Sequence, residues 1–269
     1  MAEQQPSIDA VALSCAHIAG EAYGDQAAYL RSLPESAWGD PTGCSEWTVR
    51  DLAGHVVGEA VWYPNLVRGV TRGEPPLPDD TYPALKTLPS AELTDRLSEA
   101  ASAIEPAIRA ATPDQLQQTV DLGFTKLPLW QSTYVSMIES VYHHWDSRAG
   151  RDPEATIPTP WALQVAAGIS GFAPMIANQE GVAEAPGRYL LHVEDGVGPV
   201  TITARDGQVT VEAGALERPD VAFPVTADQY VRLIAGRLDL ARLLGQGGPA
   251  LEGDRDKAMG LLRIFQGIG

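Results

Sequence analysis

Apolar residues recur at Ile8, Val11, Cys15, Ile18, Ala19 and Ala22, the spacing of one helix face, and predict a helix from Ser7 to Leu33 that Pro34 ends. A second amphipathic run, Val49, Leu52, Val56, Ala60 and Tyr63, follows a candidate N-cap at Thr48 or Ser45, with Pro64 placed to kink it. A Pro- and Asp-rich stretch over 72–90 reads as a loop. Further helices are expected over 91–111, 128–149 and 159–179, the last weakened by Gly168, Gly171 and Pro174.

The period then changes. Residues 188–214 alternate apolar and polar with period 2 and are cut by Asp-Gly and Gly-rich turns, the mark of hairpin strands. Residues 220–226 read as another short strand, and helices follow over 227–235, 238–244 and 255–265. The switch lies in EGVAEAPG, residues 180–187, so two domains are expected: a helical one over 1–182 and a small α/β one over 183–269. No internal repeat is evident.

Composition narrows the class. No apolar run approaches the length of a membrane span, and MAEQQPSIDA has neither a basic nor an apolar signal region. Two cysteines, Cys15 and Cys44, make no disulfide framework, which fits a reducing cytoplasm. Thirty-five acidic against 19 basic residues give a formal charge of −16. That sign repels phosphate backbones and speaks against nucleic-acid binding.

The chemistry lies in the histidines. Glu139 and His143 are four apart on a predicted helix, so one face carries a carboxylate and an imidazole. Two ligands make a poor metal site; a third can come from another helix, and His55 is the candidate. Glu59, four residues after His55, competes for the role. The bland readings are a surface or capping pair for Glu139–His143 and a satisfied core residue for His55. His144 points about 100° away from His143 and reads equally as solvent-facing. His17 and His192 read as structural, Trp47 and Trp145 as core. Asp51 suits a helix cap. Asp146 suits orientation of His143, or a structural cap or pairing with Arg50 or Arg148, and the structural role is favoured.

The segments EWTVRDLAGHVVGE and ESVYHHWDSRAGR together resemble the mycothiol-dependent maleylpyruvate isomerase family. The matching positions are Trp47, Thr48, Val49, Asp51 and His55, then Glu139, His143, Trp145 and Asp146. The resemblance implies a DinB-like four-helix bundle followed by a sterol-carrier-like α/β domain. It also implies a divalent metal, with zinc expected, held by His55, Glu139 and His143. Glu59 and His144 fall outside the family's ligand positions. In the second domain the resemblance rests on YVRLIAGR followed by LEGD. It singles out Gly236 and Arg237, an arginine able to bind a substrate carboxylate or simply to complement a helix dipole.

Three protein ligands leave a coordination position open, the pattern of a catalytic metal. Neither cysteine lies in a motif position, so a nucleophilic sulfur would come from a small molecule; the resemblance supplies mycothiol, the actinobacterial thiol. The expected activity is transfer of that thiol to an electrophilic small molecule. The alternative is cis-trans isomerisation of a maleylpyruvate-type substrate by reversible thiol addition. A reading of another class is a non-catalytic small-molecule-binding protein. The 73–90 loop and the second domain are expected to shape the electrophile pocket.

Overall fold

In the computed structural model the described residues are 7–44, 46–78, 81–245 and 249–267, with the side chain of residue 82 left aside. They form two compact units, Met1–Ala155 and Thr156–Gly269.

The first unit contains helices α1 (Ile8–Ser32), α2 (Val49–Arg72), α3 (Thr81–Lys86), α4 (Ser90–Arg109), α5 (Pro113–Leu116) and α6 (Leu129–Ala149). Between α5 and α6 lies a small hairpin, β1 (Thr119–Asp121) and β2 (Lys126–Pro128). The four long helices make a bundle in which α1 and α2 each pack against both α4 and α6 and lie diagonally opposite one another. Its core holds Ala12, Cys15, Ala19, Leu52, Val56, Leu93, Leu97, Ile104 and Val141, all essentially without solvent exposure. Each buried aliphatic side chain of leucine size contributes roughly 1.5–3 kcal/mol.

Thr48 caps α2, and Asp51 closes a capping box with it: the Thr48 hydroxyl accepts from the Asp51 N–H, and the Asp51 carboxylate accepts from the Thr48 N–H at 3.0 Å. Ser45, the other cap candidate, lies outside the described residues. The 72–90 stretch is not all loop. Its second half coils into α3, and Lys86 presses against Gly54 of α2, where an added Cβ would sit 3.1 Å from the Lys86 side chain.

The second unit begins with α7 (Thr159–Ile176) and α8 (Gln179–Glu184), followed by β3 (Gly187–Val193), β4 (Gly198–Arg205), β5 (Gln208–Ala213) and β6 (Val221–Val225). Then come α9 (Ala227–Ile234), α10 (Leu240–Leu243), β7 (Glu252–Gly253) and α11 (Arg255–Ile264). The sheet order is β5-β4-β3-β6-β7; only the β3–β6 pair is parallel, with Leu191 opposite Phe223. Asp206 and Gly207 both have positive φ, the paired left-handed residues that an Asp-Gly hairpin turn needs. The sequence boundary near 182 leaves α7 with the bundle, whereas the structure groups it with the sheet unit. The reason is packing: α7 lies against α9 and β5.

No described helix is long and apolar enough to cross a membrane.

Candidate functional site

His55 on α2 and Glu139 and His143 on α6 converge. His143 Nε2 lies 3.2 Å and His55 Nε2 3.8 Å from the same Glu139 oxygen. One ligand atom from each residue falls within 4.8 Å of the others. The two imidazoles meet edge to face, with centroids 4.8 Å apart. Trp47 lies over both, its ring centroid 4.9 Å from that of His55 and 6.1 Å from that of His143. It is half-buried, so it walls the histidines instead of filling the core as its residue type suggested. Trp145 is buried and donates its ring N–H to Ala155.

Behind this group, His143 Nδ1 lies 2.8 Å from the carboxylate of the fully buried Asp146. The proton that an imidazole needs to satisfy that carboxylate resides on Nδ1, which turns Nε2 towards Glu139 and His55, where it carries a proton in the metal-free chain and would offer a lone pair to an ion. The position admitted an orienting role for Asp146 beside the favoured structural one, and the geometry is that of an orienter. Cys44 completes the arrangement: its thiol donates to the same Asp146 oxygen at 3.2 Å. Its loop is pinned by the Gly43 N–H donating to the Asp146 carbonyl at 2.8 Å. A Cβ on Gly43 would come within 2.8 Å of the Asp146 carboxylate and 2.9 Å of the Trp145 ring. Cys44 lies in no motif, and no signal in the sequence pairs it with a residue 102 positions away.

The metal-free electrostatics follow. Burial opposes the charge on Glu139, yet the His143 and His55 imidazoles hold its carboxyl well below the usual carboxylate range. Burial likewise opposes protonation of His143, but Asp146, Cys44 and Glu139 together raise it well above the usual imidazole value. Burial and then the charge of Glu139 push the Glu59 carboxyl up.

Two overlapping donor sets exist among the described residues, His55–Glu139–His143 and Cys44–His143–Asp146. The second is closed by its own hydrogen bonds. The first carries an open valence: His55 Nε2 is buried with no hydrogen-bond partner, a condition that costs about 1–3 kcal/mol unless something takes it up. Two imidazole nitrogens and one carboxylate also suit a divalent ion of the zinc type. The first set fits a metal and the second does not.

A cavity of about 740 Å³ opens on this group, lined by His55, Glu59 and Trp62 of α2 and by Ser132, Val135, Ser136 and Glu139 of α6. Lys86 of α3 and the β1–β2 turn, Leu122 to Phe124, complete its walls, together with Tyr23 and Tyr63. Of the loop expected to shape the pocket, Lys86 does so; the hairpin, whose three-residue strands gave no periodic signal, was not anticipated. Neither cysteine lines the cavity.

The remaining predicted residues lie elsewhere. His144 is buried, not solvent-facing; it contacts the Arg148 guanidinium, and burial with that charge pushes it down to about 3. His192 is exposed on β3. His17 has partners that the sequence reading overlooked: its ring lies 3.4 Å from Glu21, one turn on, and 3.0 Å from Glu105 of α4. Arg237 follows α9 in the second unit and donates to the Ala235 carbonyl at 3.2 Å, an arrangement that complements a helix C-terminus.

Comparison with known proteins now bears on this geometry. Residues 20–148 match the family described as mycothiol maleylpyruvate isomerase N-terminal domain, and residues 175–266 match the SCP-2 sterol transfer family. The bundle thus matches the N-terminal domain of the mycothiol maleylpyruvate isomerase, and the sheet unit matches the SCP-2 family, each over its own part of the chain. Crystal structures of the mycothiol-dependent maleylpyruvate isomerase and of a mutant of it superpose with a TM-score of 0.57 each. Their identities are 18% and 17%, over 90% of this chain and 91% of those chains. At that identity the likeness is one of fold. The sterol carrier protein domain 2 of Helicoverpa armigera shares 25% identity over 34% of this chain and 80% of its own, with a TM-score of 0.28. No curated protein matches the chain at a significant level. The two matches follow one another in the order of the two units, and the first spans His55, Glu139 and His143.

Proposed function

We propose that this chain is a metal-dependent enzyme that transfers a low-molecular-weight thiol, mycothiol or a close relative, to an electrophilic small molecule. The observation that carries the reading is the orphaned His55 nitrogen beside Glu139 and His143, at one end of a cavity able to hold a substrate. His55, Glu139 and His143 would hold a divalent ion, with zinc favoured by the donor set. Bound there, such an ion stabilises the anionic form of a thiol, whose free pKa near 8.5 leaves only a few per cent ionised at neutral pH.

The chain's own residues do the rest. Asp146 accepts a hydrogen bond from the Nδ1–H of His143 and fixes the ring. Cys44, by donating to Asp146, keeps that carboxylate aimed. Trp47 covers the imidazoles and limits water. The cavity holds the electrophile against the incoming sulfur, replacing a bimolecular encounter with a fixed approach. Arg237, engaged at its own helix end, is given no step.

Isomerisation of a maleylpyruvate-type substrate is the second reading, favoured by the fold shared with that isomerase. The two outcomes differ in whether the adduct expels the thiol, which the electrophile decides. The actinobacterial source of mycothiol and a cytoplasmic setting go with either.

Elemental analysis of the purified protein should give about one divalent metal per chain. Mycothiol should then be consumed in the presence of an electrophile, and chelation should stop it. A metal-free protein whose thiol consumption matches the uncatalysed rate would reduce the chain to a binding protein.

A further inference from the structure

We infer that the electrophile this site takes is an uncharged molecule with an extended apolar or aromatic body, and not a small dianion. The inference rests on the thiol-transfer reading for the identity of the reaction, but on the cavity alone for the shape and charge of the ligand.

The cavity is lined by several turns of both α2 and α6. On α2, His55, Glu59 and Trp62 share one face at steps of four and three residues. On α6, Glu139, Val135 and Ser132 do the same, running back along the chain. The Tyr63 hydroxyl lies 3.1 Å from that of Ser132 and fastens the two helices at the far end. Seven residues at a helical rise of about 1.5 Å put that end roughly 10 Å from the ligand nitrogens. The cavity wall also carries three large apolar side chains, Trp62, Leu122 and Phe124.

Phe124 is the most telling of these. It is 68% exposed, and among the described residues only it and Met175 are large apolar side chains left so open. It is held out by the β1–β2 turn, in which Gly123 has φ +86° and donates to the Asp121 carboxylate at 2.9 Å. A ring that the fold leaves wet at a cavity wall gains by covering an apolar ligand.

Charge points the same way. A divalent ion would be balanced by Glu139 and the incoming thiolate, which leaves Glu59 and Asp121 against Lys86 in the cavity. A dicarboxylate would enter a space already short of positive charge.

The test is calorimetric titration of the full chain with 2-naphthol, an unreactive uncharged aromatic, and with fumarate, a dianion. It is repeated on Phe124→Ala, Trp62→Ala and Trp62→Phe, with the metal content of every sample measured. The expected result is a 2-naphthol site weakened about tenfold by Phe124→Ala and by Trp62→Ala and largely kept by Trp62→Phe, with fumarate binding at least tenfold more weakly than 2-naphthol to wild type. Phe124 is exposed, so its variant should melt with wild type, which a thermal scan verifies. Fumarate binding more tightly than 2-naphthol overturns the inference, as does 2-naphthol affinity unchanged in both alanine variants, the signature of a ligand bound elsewhere in the chain. Binding of 2-naphthol that persists in protein found to hold no metal, and that weakens in both alanine variants, upholds this inference while removing the proposed function, so the two fail separately.

Discussion

Two histidines in the bundle keep nearly the same company and differ in almost everything that matters. His17 has Glu21 one turn away on α1 and Glu105 reaching across from α4 at 3.0 Å. His143 has Glu139 one turn away on α6 and His55 reaching across from α2. Each is therefore an i,i+4 pair joined by a third group from another helix. The His17 side chain is 57% exposed and that of His143 only 9%. In water, the first cluster is a weak surface ion pair. In the second, a buried carboxylate fixes the ring and a buried nitrogen lacks a hydrogen-bond partner, so the same spacing becomes a donor set able to hold an ion. Spacing supplies the donors; exclusion of water and orientation from behind make them a site.

That contrast breaks most visibly by removing donors on each side. His55→Ala and Glu139→Ala should reduce bound metal to background and abolish metal-dependent thiol consumption, whereas His17→Ala should leave both unchanged, as read by elemental analysis and a thiol assay. Next in size is the orienting carboxylate. Asp146→Asn should lower metal affinity by about 10- to 100-fold with all three ligands in place, while Glu105→Gln, its exposed counterpart, should not alter it.

Protons sharpen the comparison further. His143 is raised in the folded, metal-free chain, because its partners outweigh its burial. Its stabilising contribution is then full below the unfolded imidazole value of about 6.5 and is lost as pH rises through the raised one. A metal must displace the Nε2 proton, so affinity should climb with pH across that window, by about tenfold per unit, in titrations with a competing chelator. A flat profile would mean that His143 is neutral before the ion arrives. The smallest effect belongs to the exposed cluster: His17→Ala should shift Tm by no more than about 2 °C.

The helices were legible because each carries an apolar stripe: α1, α4 and α6 begin and end within two residues of the predicted spans, α2 begins where its run begins but continues past Pro64 to Arg72, and Thr48 and Pro34 mark boundaries that the structure keeps. The approach of His55 to Glu139 and His143 was expected from the resemblance; helix spacing by itself assigned it no more than it assigned to His17. What stayed hidden depends on partners remote in sequence. Cys44 acquires its role only by meeting Asp146, and the burial of His144 is set by neighbouring helices. The β1–β2 hairpin, too short for a period, supplies the most exposed wall of the cavity. α7 reads like a bundle helix because amphipathic faces look alike whatever they cover; only its packing on α9 and β5 gives it to the second unit.

The absent side chain of Gly43 has a consequence of its own. Where any other residue would drive a carbon into the Asp146 carboxylate, the bare backbone lets the loop before α2 seat against the rear of the imidazole. Any grip on an ion would thereby depend on a spot outside the cavity. A single methyl added there would be felt as a turned His143 ring, passed on through the Asp146 carboxylate one helical turn away.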